Sequence, residues 1–312
     1  MTERMRSGKR IISGLGLGIG VIGIAFVIRV VASQWVEVIA AFRAANLFIL
    51  VAAFGVGLVG MAQIGLGWRR CLALLGGQPP PPVGDSLYWY FVGQLGKYIP
   101  GGIWPVVGRS EMARQGGVSG QQSYASTLVS LGVTYLAAIL LTVALLPWTQ
   151  FGGGGDEVIS RSWVLVLLPI GLVVLQPAVM MRLLLFMQRI SGRRIRITPP
   201  PWLTMVRLLF RHIPAWLAIG LATWAVGVAL DAPGELSNVI FATSLSWVVG
   251  FVIIPVPGGI GVREAVFVAA ATSLPSALAA TVALTARLLF IAVDLTGAAV
   301  SSTLRTMASN RR

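Results

Sequence analysis

Of 312 residues, 56% are hydrophobic and 11% are charged, whereas soluble domains carry about 25% charged residues. With mean hydropathy at +0.84, the chain lacks the polar surface of a water-soluble globule, and its recurrent apolar runs of about twenty residues have bilayer-spanning length. Net charge is +14. In a soluble protein that balance would suggest nucleic acid. Here the basic residues fall mainly between apolar runs, where they orient spans and face anionic headgroups, so no nucleic-acid partner is expected. One cysteine, Cys71, and one histidine, His212, leave no intrachain disulfide and no Cys/His metal cluster, so no cofactor or metal is expected.

In chain order, Arg4, Arg6, Lys9 and Arg10 precede an apolar stretch from Ile11 to Ala32. That stretch is longer than a secretory h-region and reads as an uncleaved first span. Full spans are predicted at 11–31, 47–68, 121–147, 162–181, 213–230 and 277–303. Two further apolar regions, 86–108 and 236–274, are interrupted by Pro and Gly. His212 lies beside Arg211 and is expected at a membrane edge. Basic residues cluster at Arg69–Arg70, between Arg182 and Arg211, and in the tail from Arg305. The positive-inside rule then puts both termini in the cytoplasm of a multi-pass plasma-membrane protein. This bookkeeping closes only if 86–114 dips in from the cytoplasm and 236–275 from outside.

The two breaks share a pattern. The first reads Lys97-Tyr98-Ile99-Pro100-Gly101-Gly102-Ile103, with Trp104 beside it and Arg109 and Glu111 beyond. The second reads Pro257-Gly258-Gly259-Ile260, followed by Arg263 and Glu264. Proline removes a backbone donor and paired glycines open conformations closed to other residues. Broken backbone at membrane depth is tolerated only where it is buried in protein or lines a wet cavity. Paired Pro/Gly-interrupted segments in two halves point to an inverted repeat around a binding site. The halves here are 47–181 and 213–303 of a single transmembrane domain spanning 1–312. Helices starting after each break would turn their N–H groups toward an anion, with an arginine suited to phosphate. A structural kink closed by an Arg–Glu pair is the plainer alternative.

Charges inside spans are costly. Arg287 and Asp294 share one face of the last span and can pair with each other or with Glu264 and Arg263. Gly55-x-Gly57-x-x-Gly60 matches a dinucleotide fingerprint, but its apolar span lacks a βαβ context, and close helix packing explains it better.

Gly-Lys-Tyr-Ile-Pro-Gly-Gly-Ile-Trp with a downstream Arg, and Pro-Gly-Gly-Ile-Gly-Val-Arg-Glu near the C-terminus, resemble the lysylphosphatidylglycerol synthase transmembrane (flippase) domain family, including its stand-alone members. The resemblance covers roughly 45 to 303. It implies an all-α polytopic helical bundle with re-entrant hairpins that moves lipids between leaflets. Carried over by position, it points to Lys97, Pro100, Gly101, Gly102, Arg109, Pro257, Gly258, Gly259, Arg263 and Glu264. No soluble synthase domain follows, so aminoacylation of a lipid is not carried over. The expected function is flippase or scramblase activity on a phosphate-containing lipid. Trp104, Glu111, Arg287 and Asp294 complete the candidate substrate-binding set, and no catalytic residue is assigned. Expected partners are membrane lipids (anionic or aminoacylated phospholipids, or polyprenyl-linked lipids), with a homo-oligomer left open. An intramembrane lipid-linked transferase or phosphatase is the alternative. It needs a nucleophile with a base, or a metal site, and scattered carboxylates supply these poorly. An accessory membrane subunit is the third reading.

Overall fold

The computed structural model describes residues 45–76, 79–99, 102–149, 200–252 and 261–309, with isolated positions 43, 176, 178 and 182. The predicted spans 11–31 and, apart from positions 176 and 178, 162–181, and the break residues Pro100, Gly101, Pro257, Gly258 and Gly259, lie outside these. The described residues are helical and contain no strand. In order the helices are α1 (Leu47–Gly76), α2 (Val83–Gln94), α3 (Trp104–Gln115), α4 (Gly120–Leu145), α5 (Trp202–Phe210), α6 (Ile213–Ala229), α7 (Leu236–Val252), α8 (Val262–Ala270) and α9 (Ser276–Ser309).

Four helical stretches are long and apolar enough to cross a membrane: Leu47–Gly76, Gly120–Trp148, Trp202–Ala229 and Ser276–Met307. Each leaves large apolar side chains exposed, among them Val59, Ile139, Leu221 and Val300. Facing water these would be a liability; facing acyl chains they are the expected surface. The chain is therefore a polytopic α-helical membrane bundle.

α1 and α6 pack antiparallel. Asn46 donates its backbone N–H to Ala229 O at 2.8 Å. Farther along, a Cβ on Gly60 would stand 3.0 Å from Ala215 O, and one on Gly67 only 2.3 Å from His212 Nε2. Gly57 similarly lies against Phe290, whereas Gly55 meets nothing, so packing accounts for two of the three motif glycines. His212 is buried where α5 passes into α6, with its Nδ1 2.8 Å from Leu208 O. Pro214 ends the α5 hydrogen-bond ladder, yet the apolar helical stretch that contains the predicted span runs on continuously from Trp202 to Ala229.

The interrupted regions form two hairpins. In the first, α2 and α3 run antiparallel, Gly93 lying against Arg109 and Gly96 against the backbone of Trp104. In the second, Asn238 at the start of α7 donates to Ala270 O at the end of α8 (3.1 Å) and accepts from Ser273 N–H (3.0 Å). α9 fixes their relative direction. Asp85, in the first turn of α2, pairs with Arg305 near the C-terminus of α9 at 2.9 Å. The open end of α7–α8 lies instead by Ser273, just before α9 begins. The hairpins thus start from opposite ends of α9, and their inner ends converge on its middle.

Candidate functional site

Each return helix begins at a left-handed glycine: Gly102 (φ 64°) just before α3 and Gly261 (φ 78°) at the N-terminus of α8. Glycine alone reaches this region without strain, so both chain reversals depend on it. Glu264, in the first turn of α8, accepts from the Gly261 N–H at 2.7 Å. Its second oxygen binds Arg287 Nη1 from α9. One carboxylate thereby caps α8 and ties it to the last span.

One helical face farther along α9, Asp294 is fully buried and accepts from two residues of the first break. Lys97 Nζ lies 2.5 Å from Asp294 Oδ2, and Tyr98 Oη donates to the same oxygen at 2.7 Å. Arg287 and Asp294 therefore do not pair with each other. They reach to different hairpins, Arg287 to the second and Asp294 to the first.

Trp247 of α7 joins the two groups. Arg263 lies over its ring at 3.8 Å from guanidinium carbon to centroid, and Lys97 Nζ is 5.6 Å from the same centroid. Phe290 and Trp216 hold the indole edge-on at 5.4 and 5.6 Å. Five of the candidate residues meet here: Lys97, Arg263, Glu264, Arg287 and Asp294. Formally these are three cations and two anions, both anions being engaged by Lys97 and Arg287. Arg263 makes no ion pair among the described residues. The chamber between Arg263, Glu264, Arg287 and Trp247 measures about 30 Å³, room for about two water molecules.

The structure separates the remaining candidates. Arg109 is buried in a second chamber, also walled by Trp247. Glu111 turns to the opposite side of α3 and pairs with Arg114 at 2.5–3.1 Å on the surface. Trp104 opens α3. Tyr98 and Trp247 were not singled out from the sequence. Tyr98 sits inside the quoted motif beside Lys97, and Trp247 is an aromatic in mid-span, a common core residue with no distinguishing signal.

A membrane-embedded bundle in which two hairpins bring opposed charges together at mid-span defines the class of protein. The chain belongs to the lysylphosphatidylglycerol synthase TM region family, which matches residues 13–296. The match begins well before position 45 and stops short of 303. Membership ties the chain to membrane lipids. No curated protein matches it.

Proposed function

We propose that the protein moves a phosphate-containing lipid between leaflets, with the headgroup phosphate held where the inner ends of the two hairpins meet. The carrying observation is Arg263, a guanidinium in the first turn of α8 with no ion-pair partner among the described residues. Its planar fork suits a phosphate oxygen pair, and the α8 N-terminus adds favourable N–H groups. Lys97 stands on the same indole and offers a second cation once an anion loosens its hold on Asp294. Both breaks would be re-entrant in the bilayer, one from each side, related as an inverted repeat. A shift of one hairpin against α9 would admit the headgroup. Opposite entrances would then give access to each leaflet in turn.

The test is lipid movement in proteoliposomes with labelled lipids and a membrane-impermeant quencher. Wild type should accelerate loss of inner-leaflet signal for at least one of the anionic, zwitterionic, aminoacylated or polyprenyl-phosphate lipids. Arg263→Ala, folded, should not. Folded wild type that accelerates none of them would overturn the reading.

A further inference from the structure

Arg109 poses a separate problem in charge balance. Its side chain is 3% exposed, in the middle of the bundle, and its Nε makes no hydrogen bond. No ion pair reaches it among the described residues. The nearby carboxylates are committed elsewhere: Asp294 to Lys97 and Tyr98, Glu111 to Arg114. Trp68 and Tyr90 lie 5.3 and 5.1 Å from the guanidinium carbon and stabilise the cation through their ring faces. Rings do not neutralise it. An arginine is never deprotonated in a protein, and a lone buried charge is among the least tolerable features of a membrane interior.

The arginine is also held in place deliberately. Ser110 Oγ donates to Thr127 Oγ1 at 3.0 Å, and Ser123 Oγ donates to Ser110 O at 2.6 Å, fastening α3 to α4. Trp68 Nε1 donates to the same Thr127 hydroxyl at 3.0 Å. Gly93 supplies the room, since a Cβ there would lie 2.9 Å from Arg109 Cβ.

In front of Arg109 is a chamber of about 50 Å³. Its polar walls are Gln94, Ser130, Thr134 and Tyr135, of which Thr134 already donates to Ser130 O at 2.7 Å, and among the described residues its lining contains no acidic side chain. Ser130 Oγ makes no hydrogen bond. A cavity with a fixed cation, several donors and no carboxylate selects an anion. Its volume gives room for a few water molecules, which suits a small inorganic anion such as a halide.

We propose that the Arg109 chamber binds one chloride-sized monovalent anion, a site distinct from the Lys97–Arg263 cluster and independent of the transport reading. The anion supplies the missing countercharge inside the bundle, with Arg109 and Ser130 as its principal donors.

The test is equilibrium binding of radiolabelled chloride to the purified full chain in detergent, with gluconate maintaining ionic strength. Wild type should bind one chloride per chain saturably. Arg109→Lys keeps the charge but loses the planar fork, and should bind about tenfold more weakly. Ser130→Ala, a milder change that serves if the arginine variant does not fold, should also weaken binding. A soluble dialkyl phosphate should not displace the ion. Absence of saturable binding by folded wild type overturns the proposal. Arg109-dependent binding of the dialkyl phosphate without chloride binding also overturns it, and assigns the chamber to the lipid headgroup instead.

Discussion

Lys97 and Asp294 lie 197 residues apart and meet at 2.5 Å, joining the inner end of one hairpin to the middle of the last span. Asp294 is fully buried and its second oxygen, Oδ1, has no hydrogen-bond partner. Removing one member of such a pair strands the other charge. Lys97→Met should therefore cost about 3–5 kcal/mol of stability. Lys97→Met combined with Asp294→Asn should recover most of that loss, because Tyr98 can still bond the amide. A double-mutant cycle on detergent-solubilised protein measures the coupling, and additive losses would contradict the pairing.

The stack of Arg263 on Trp247 carries a second prediction. Trp247→Leu should weaken the hold on the guanidinium by about 2 kcal/mol at a desolvated site. Trp247→Phe should retain part of it. If the cluster binds the headgroup, lipid movement should fall in the order wild type, Phe, Leu. Equal rates in all three would separate the stack from transport.

Gly250 offers a way to displace Arg263 without removing it. A Cβ at this position would stand 2.3 Å from Arg263 Cγ and 2.9 Å from Cδ. Gly250→Ala should push the arginine off the indole at a cost of about 1–3 kcal/mol in overpacking. Transport should then resemble that of Arg263→Ala although the charge is intact. Unchanged transport in a folded Gly250→Ala protein would mean that the position of Arg263 does not matter.

Glu111 should behave as a surface residue. Its partner Arg114 is exposed and adjacent in the helix, and such pairs contribute little. Glu111→Gln should leave both melting temperature and lipid movement unchanged within scatter. A large transport defect would return it to the site.

Orientation can be read with single cysteines in a Cys71→Ala background. The Asp85–Arg305 pair puts those positions at one end of the bundle, and Ser273 lies at the other. The positive-inside rule makes the Arg305 end cytoplasmic. A membrane-impermeant maleimide applied outside cells should label Ser273→Cys and spare Asp85→Cys and Arg305→Cys. The reverse pattern would invert the topology.

The long spans were legible because apolar runs of bilayer length admit few alternatives, and the breaks because Pro-Gly-Gly interrupts any helix. The Glu264–Arg287 tie was among the pairings that charge placement allowed. What sequence hid was register. Arg109 follows Pro100 by nine residues, whereas Arg263 follows Pro257 by six. Because α3 starts at Trp104 and α8 at Val262, Arg109 stands four helical positions farther from its helix start than Arg263 does, which is about one turn deeper. The two arginines look equivalent as text and occupy different chambers. Lys97 with Asp294, and Trp247 between the hairpins, depend on tertiary proximity that no local pattern encodes.

Trp247 is a party wall, lining both the Arg263 chamber and the Arg109 chamber. A ligand that tilts the indole to enlarge one room necessarily reshapes its neighbour. Any such effect is reciprocal in free energy, so an occupant of either chamber that moved the indole would change the affinity of the other chamber by the same factor.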